Sequence, residues 1–293
     1  MTLTVVTLKS FLTANPATVV AELTAVRGSS PREAGTFMLI SPEAQVGTIG
    51  GGALEYMVID RARQVLRDGL HEDSLDIPLG PEIGQCCGGR VDVALRRVTA
   101  VEAERLAARL EAELAARPHV YLFGSGHVGH ALARALAALP LRVHVVDTRP
   151  DELADLPENV ETHAVAMPEA VARSAPRGSA FVILTHDHEL DFLIAAEALQ
   201  RADAPYIGMV GSMTKKARFR SWYLGEGYPA APLDRLVLPI GGKAFPGGIG
   251  DKRPEVIAAL AAAEILVHIV GREVEDLKAR PATTKTSGAV LGD

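Results

Sequence analysis

The sequence has few cysteines and no segment typical of an export signal. Its 293 residues include two cysteines, Cys86 and Cys87, and one tryptophan. Because the two cysteines are adjacent, a disulfide between them would close a strained ring, far from ordinary disulfide geometry. Residues 1–10 lack a basic segment followed by an apolar core. We therefore expect reduced thiols and a cytoplasmic protein.

The sequence also lacks long runs of charged or apolar residues. It contains 36 acidic and 30 basic residues, a formal net charge of -6, with no long run of either sign. This balance disfavours a nucleic-acid-binding or acidic-membrane-binding surface. The longest apolar stretch, 256–270, is interrupted by Glu264 and His268 and is expected to be too short to span a membrane. Small molecules or other proteins are the expected partners.

The order of apolar segments predicts an α/β protein with two domains. Hydrophobic residues make up 48% of the chain, enough for two separate cores. From residue 119 onward, strand and helix patterns alternate, which predicts a parallel sheet. The expected fold is an N-terminal α/β domain plus a C-terminal Rossmann-like doubly wound parallel sheet. The domains are placed at 1–100 (with a Cys-Cys loop), 101–117 (a connecting helix), 118–280 (Rossmann-like) and 281–293 (a disordered tail).

A glycine-rich turn follows the first strand of the second domain. Gly124, Gly126 and Gly129, with His127 between them, lie between a strand and a helix, where backbone N–H groups can approach a phosphate. Asp147 ends the next strand, close to where a dinucleotide site places its ribose acceptor. The pattern predicts a phosphate-bearing ligand, and a nucleotide is one candidate. The same glycines also serve tight strand–helix packing around other ligands.

Two later segments of the second domain carry further candidate residues. His186-Asp187-His188 resembles a metal cluster, but the end of a parallel strand favours a ligand-lining loop, with Asp191 as a cap of the next helix. Gly211 and Ser212 precede a helix that begins with several basic residues. This second segment predicts either an anion site or a solvated amphipathic helix. Its cations are Lys215, Lys216, Arg218 and Arg220.

In the first domain, Gln85, Cys86 and Cys87 lie in a loop with no local apolar pattern to bury the sulfur atoms. Thiolates are soft metal ligands and sulfur acceptors, so the loop predicts a functional thiol. Arg27 and Ser29, in Arg27-Gly28-Ser29-Ser30-Pro31, and the helix start at Gly50-Gly51-Gly52 are typical of anion binding, or equally of plain turn chemistry.

Taken in order, these motifs resemble those of the XdhC/CoxI family, and the match extends from about Val19 to Ile269. The motifs are Arg27-Gly28-Ser29-Ser30-Pro31, Gly50-Gly51-Gly52-Ala53-Leu54-Glu55, Gly84-Gln85-Cys86-Cys87-Gly88-Gly89, Gly124-Ser125-Gly126-His127-Val128-Gly129, Thr185-His186-Asp187-His188 and Gly208-Met209-Val210-Gly211-Ser212. Their order, including the unusual Gln-Cys-Cys-Gly-Gly, makes the combination specific.

The resemblance implies a chaperone for the molybdenum cofactor (molybdopterin) and no catalytic residues. Such a factor holds the cofactor while a cysteine desulfurase supplies the terminal sulfur, and then delivers it to the xanthine dehydrogenase apoenzyme. Carried over to this sequence, the resemblance places Cys86 and Cys87 nearest the molybdenum and makes the turn 124–129 a phosphate or nucleotide cradle. The expected cofactor-binding residues are Cys86, Cys87, Gln85, Gly124, Gly126, His127, Gly129, Asp147, His186, His188, Gly211, Ser212, Arg27 and Ser29.

Three other functions fit parts of the sequence. An NAD-dependent oxidoreductase would use the glycine turn with Asp147, and His186 as an acid or base. A redox- or metal-sensing module would use the two cysteines as its switch. A metal-assisted hydrolase would use His186-Asp187-His188. The Ala-rich helical stretches at 101–116 and 256–263 allow helix-on-helix packing in a homodimer, which is the expected state, although they would serve the core of a monomer equally well.

Overall fold

The computed structural model describes residues 3–81, 88–242 and 250–279, with side chains described up to residue 271. Gln85, Cys86 and Cys87 and the tail 281–293 lie outside these ranges. The chain divides into two compact units, Met1–Ala116 and Arg117–Asp293. Each unit has its own sheet.

The first unit contains an antiparallel five-stranded sheet of order β3-β2-β1-β5-β4. Its elements are α1 (Val5–Ala14), β1 (Val19–Arg27), β2 (Phe37–Ile40), β3 (Gln45–Gly47), α2 (Gly52–Arg67), β4 (Glu72–Pro78), β5 (Arg90–Arg97) and α3 (Ala100–Ala115).

Both faces of this sheet are covered by helices. Alternate residues of β1 point to opposite faces: Val19 and Leu23 pack with α2, and Val20 packs with α1 and α3. Thr99 caps the start of α3. Glu22 of β1 pairs with Arg105 and Arg109 on the same helix. The helix that the sequence places between the domains is therefore part of the first unit.

The second unit contains a parallel six-stranded sheet of order β11-β10-β9-β6-β7-β8. Its elements are β6 (His119–Phe123), α4 (His127–Ala137), β7 (Arg142–Asp147), β8 (Val160–Ala164), α5 (Pro168–Ser174), β9 (Ala180–Ile183), α6 (His188–Gln200), β10 (Ile207–Met209), α7 (Met213–Gly225), β11 (Leu236–Val237) and α8 (Pro254–Ala279), with short 3₁₀ helices at Pro150–Leu153 and Ala231–Arg235.

The strand order of this unit is that of a doubly wound sheet, with the reversal between β6 and β9. Helices α4 and α8 cover one face of the sheet, and α5, α6 and α7 cover the other. The doubly wound parallel sheet expected from the sequence is confirmed. Ligands of such sheets bind outside the carboxyl ends of the strands, at the point of reversal.

Helix α8 contains the apolar stretch 256–270. Its stretch Pro254–Gly271 is long and apolar enough to cross a membrane by length and composition, so the expectation that it is too short was wrong. In the structure, Ala261 and Ile265 are buried in the same core as Leu132 and Leu136 of α4. One side of α8 therefore forms part of the core of the second unit.

Candidate functional site

Two of the three glycines in the turn 124–129 permit close packing of the backbone. Gly124 has a positive φ of 114°. A Cβ there would clash with the carbonyl oxygen of Leu184, at the end of the neighbouring strand β9. A Cβ at Gly129 would clash with the carbonyl oxygen of Gly124. These glycines therefore bring the start of α4 against the carboxyl ends of β6 and β9.

Gly126 opens this junction toward a ligand. It is the N-cap residue of α4, and no atom lies within 4 Å of where its Cβ would be. No side chain caps the helix, and its first turn contains no acidic residue. The first amides of an α-helix lack intrahelical partners and carry a partial positive charge. The start of α4 can therefore bind an anion.

A cleft of about 960 Å³ lies at this helix start, where the strand order reverses. Gly126, His127 and Gly129 line one side of it, and Thr185 and His186 line another. The structure thus brings the glycine turn and the histidine loop to one cleft, as the sequence predicts for a ligand-lining loop. Two cationic side chains, Arg134 and Arg149, and two acidic ones, Glu152 and Glu255, also line this cleft.

Asp147 is committed to contacts within the protein. Its two carboxylate oxygens accept hydrogen bonds from the amide and hydroxyl of Ser125, at 2.9 and 2.7 Å, and from the amide and guanidinium of Arg149, at 3.0 to 3.1 Å. These five bonds use the roughly four lone-pair sites of a carboxylate. Burial alone would raise the pKa of Asp147, but the bonds from Arg149 and Ser125 hold it well below its usual value. A ribose would have to displace one of these donors.

Asp187, in the loop after β9, and Asp191, in the first turn of α6, have different roles from those expected. Asp187 caps α6 by accepting hydrogen bonds from the amides of Glu189 and Leu190, at 2.8 and 3.4 Å. The prediction that Asp191 is this cap was wrong. Asp191 is fully buried, accepts hydrogen bonds from the amide and hydroxyl of Thr185, at 3.0 and 2.7 Å, and forms an ion pair with Lys215.

The two histidines of this loop face different clefts. His186 lines the cleft at α4, whereas His188 lines a second cleft of about 670 Å³ together with Phe192, Ser212 and Trp222. Within the described residues, the group of side chains that comes close enough to share a metal ion includes neither histidine. This arrangement gives no support to metal-assisted hydrolysis at His186-Asp187-His188.

The basic segment after Gly211 is partly structural. Lys215 donates to the carbonyl of Val210 at 3.0 Å besides pairing with Asp191. A Cβ at Gly211 would press on the aliphatic stem of Lys215. Ser212 caps α7 by accepting a hydrogen bond from the Lys215 amide at 3.3 Å. Of the four cations, Lys215 and Arg218 line the second cleft together with Ser212.

In the first unit, the segment around Arg27 and Ser29 lies against the residues that follow the Cys-Cys pair. Arg27 forms ion pairs with Asp92 at 2.6 Å and Asp76 at 3.3 Å. Ser29 is exposed, and a Cβ at Gly89 would clash with its carbonyl oxygen. These two motifs are therefore neighbours, although Gln85, Cys86 and Cys87 themselves lie outside the described residues.

The glycines at the start of α2 are held by the protein's own carboxylate. Glu55 accepts hydrogen bonds from the amides of Ile49 and Gly51, at 3.0 and 2.8 Å, and from the hydroxyl of Thr48. A carboxylate thus already occupies the place where an external anion would bind. Plain turn chemistry accounts for this motif.

Sequence reasoning did not identify several of the residues at these clefts. Arg149 lies two residues after Asp147. A signal that could have identified Arg149 is its position just after a strand that ends in a candidate acceptor. Arg134 and Trp222 lie one turn or more inside α4 and α7, where their sequence context is that of ordinary helix residues. Only the packing of the helices brings them to the clefts.

Comparisons with known proteins agree with this fold. Residues 120–265 match the family described as the XdhC Rossmann domain, and residues 12–75 match the XdhC and CoxI family. The uncharacterized protein YqeB of Escherichia coli strain K12 is 27% identical over 253 residues, covering 84% of this chain and 42% of YqeB. The chain thus spans about two fifths of that relative's length.

A solved structure shares the architecture. The crystal structure of a Bacillus halodurans protein described as a xanthine dehydrogenase has a TM-score of 0.74 at 19% identity, covering 92% of this chain and 97% of that one. At this level of identity the likeness shows the fold alone. The two matched family segments cover most of both units, and the chain belongs to the XdhC/CoxI family, a family of the accessory, maturation type.

Proposed function

We propose that this protein is a cytoplasmic carrier of the molybdenum cofactor. It binds the cofactor as cargo, holds it while a cysteine desulfurase supplies the terminal sulfur, and passes it to the xanthine dehydrogenase apoenzyme. Family membership supports a maturation role. The observation that carries the proposal is the cleft at the start of α4, where uncapped helix amides and two arginines face the same space.

The chemistry of this cleft suits the phosphate end of a pterin cofactor. A helix N-terminus offers N–H donors and a partial positive charge, and guanidinium groups bind phosphate through paired N–H donors. The volume of about 960 Å³ lies within the range of about 300–1,000 Å³ typical of small-molecule sites. We assign the phosphate to Gly126, His127 and Gly129, with Arg134 and Arg149 adding positive charge to the same cleft.

The metal end of the cofactor needs a soft donor. We assign this role to Cys86 and Cys87, with Gln85 beside them, because thiolates bind soft metals and accept sulfur. Arg27 and Ser29 would contribute from the neighbouring segment. Release to the dehydrogenase requires moderate affinity, so a pair of thiols suits a carrier better than a closed set of four ligands. We expect the carrier to act as a homodimer.

The hydrogen bonds of Asp147 favour a carrier of the cofactor over an NAD-dependent oxidoreductase. In a dinucleotide site the acidic residue at the end of the second strand binds ribose hydroxyls. Here Ser125 and Arg149 already occupy both oxygens of Asp147. A ligand whose phosphate is recognised without a ribose diol fits these contacts better than NAD does.

The test is anaerobic binding of purified molybdenum cofactor, with bound molybdenum and pterin assayed after gel filtration. Gly126→Asp adds a negative charge at the helix start while supplying a favourable N-cap residue, so the helix should stay intact. Gly225→Asp is the matched control: it adds the same charge at a site where no atom lies within 4 Å of the new Cβ. Wild type and Gly225→Asp should bind near one equivalent, and Gly126→Asp should lose pterin and molybdenum together.

The cysteine variants probe the metal end separately. Cys86→Ala or Cys87→Ala should lower bound molybdenum or slow its sulfuration by a desulfurase, with the phosphate contacts unchanged. Failure of the wild type to bind the cofactor would contradict the proposal. NAD and NADP would then be titrated, and tight binding that Gly126→Asp abolishes would favour the oxidoreductase instead.

A further inference from the structure

A cluster of imidazole and carboxylate groups lies on the sheet of the second unit, formed by strands β7 and β8. In the parallel register His144 is opposite Glu161, and Val146 is opposite His163, so the three polar side chains share one face. One potential ligand atom from each of His144, Glu161 and His163 lies within 4.8 Å of the other two. None of these three residues lines the cleft at α4 or the second cleft.

Two of the distances between donor atoms match those of a tetrahedral transition-metal site. Nδ1 of His144 lies 3.1 Å from Nε2 of His163 and 3.4 Å from Oε2 of Glu161. Zinc bonds of about 2.0–2.1 Å at a tetrahedral angle put neighbouring ligand atoms about 3.3 Å apart. The two distances from Nδ1 of His144 therefore match this value to within a few tenths of an ångström.

Neighbouring residues orient these donors from outside. Nδ1 of His119 lies 2.9 Å from Nε2 of His144, and the ring of Tyr121 stacks on the His144 ring at 4.3 Å and 6°. Arg142 donates to Oε1 of Glu161 at 2.6 Å, which leaves Oε2 directed at His144. Metal-binding histidines and carboxylates in proteins typically have such outer partners, which fix the ring tautomer and orientation.

The tautomers of the two histidines decide whether their ring nitrogen atoms can bind an ion. With the Nε2 proton of His144 donated to His119, its Nδ1 carries a free lone pair. His163 binds through Nε2 once its proton resides on Nδ1, a change of tautomer that releases no proton.

We infer that His144, Glu161 and His163 bind one divalent transition-metal ion of the zinc class. Two imidazoles and one carboxylate form a three-ligand set that leaves the fourth position for water. The side chain of His144 is 4% exposed and that of Glu161 is 46% exposed, so the ion is anchored on the sheet and reached from the solvent side. It joins β8, the edge strand, to β7.

The test uses Zn²⁺ and Co²⁺ alone on metal-free wild-type protein. Isothermal titration should show one Zn²⁺ per chain, and Co²⁺ should give the intense visible absorption of a tetrahedral complex. Glu161→Gln removes a ligand at an exposed position, so it should fold. His119→Gln removes only an outer partner, for which a loss of about 10- to 100-fold in affinity is typical. The Glu161→Gln variant should lose more than the His119→Gln variant.

Control variants separate this site from the other candidate metal ligands of the chain. A His186→Gln, His188→Gln double variant and a Cys86→Ser, Cys87→Ser double variant should keep the full stoichiometry and the tetrahedral cobalt spectrum. The inference is overturned if wild type binds no stoichiometric Zn²⁺, if Glu161→Gln binds as tightly as wild type, or if either control loses the site. No molybdenum cofactor enters the assay, so its outcome is independent of the proposed carrier function.

Discussion

The buried ion pair between Asp191 and Lys215 offers a sharp test of what holds the loop between the two clefts. Asp191 is fully buried, and the side chain of Lys215 is 12% exposed. In a Lys215→Met variant the carboxylate keeps its two bonds from Thr185 but loses its cation, and the carbonyl of Val210 loses a donor. Removing one partner of a buried pair costs about 3–5 kcal/mol. Because Thr185 still solvates the carboxylate, we expect about 3 kcal/mol, the lower end of that range.

The assay is urea unfolding followed by the fluorescence of Trp222, the single tryptophan of the chain. Trp222 lies in α7, the helix that contains Lys215, with its ring centroid 5.5 Å from that of Phe192 and 6.1 Å from that of Phe219. Its signal therefore reports the unfolding of the second unit. The free energy of unfolding comes from linear extrapolation, and an unchanged slope shows that the variant unfolds in the same way.

Two further variants serve as controls for the loss of stability in Lys215→Met. Lys216→Met removes a cation that makes no ion pair within the described part of the chain, and it should lose less than about 0.5 kcal/mol. An Asp191→Asn, Lys215→Met double variant removes both charges, and its loss should be smaller than the sum of the single losses. A loss below about 1 kcal/mol for Lys215→Met, as for an exposed ion pair, would refute the reasoning.

Three other outcomes are expected. Gly129→Ala should lower the thermal midpoint, because its methyl group clashes with the carbonyl oxygen of Gly124. We expect this clash to cost more than the roughly 1 kcal/mol that alanine gains over glycine in helix propensity. A higher midpoint would contradict the packing. The pKa of Asp147 is lowered on folding, so its stabilisation is present above the ordinary carboxyl pKa of about 4 and is lost as the pH falls below it. Arg149→Ala should raise this pKa, lower the stability at pH 7 and flatten its decline below pH 4, as measured by urea midpoints from pH 3 to 7. Glu55→Ala should cost about 1–3 kcal/mol and speed hydrogen exchange of the two loop amides it accepts from, and unchanged exchange would count against its role.

The sequence was most informative where backbone geometry restricts the residue type. Gly124 and Gly129 occupy positions where a Cβ would clash with the backbone, so their spacing between a strand and a helix predicts the Rossmann turn correctly. The second sheet was predicted for a different reason, because buried parallel strands such as β9 (Ala180–Ile183) are apolar throughout.

The sequence was least informative where partners come from different elements. Asp187 and Asp191 are both acidic residues near the start of α6, and no local pattern shows that Asp191 is the one that is buried and pairs with Lys215 of α7. Strand β8 is hard to predict from the sequence because it is an edge strand with one buried residue, Val160, and a polar pattern. The proximity of His144 to His163 depends on the register between β7 and β8, which no local pattern contains.

The docking of α8 on α4 bears on how the protein is made. In chain order α8 follows every strand of the second sheet, yet Ala261 and Ile265 belong to the same core as Leu132 and Leu136. During synthesis, α4 leaves the ribosome more than a hundred residues before α8. The apolar face of α4 that packs against α8 therefore stays exposed until residues near 269 have emerged. Chains stopped before Pro254 would display that face permanently, and we expect them to bind chaperones or aggregate rather than accumulate as a folded second unit.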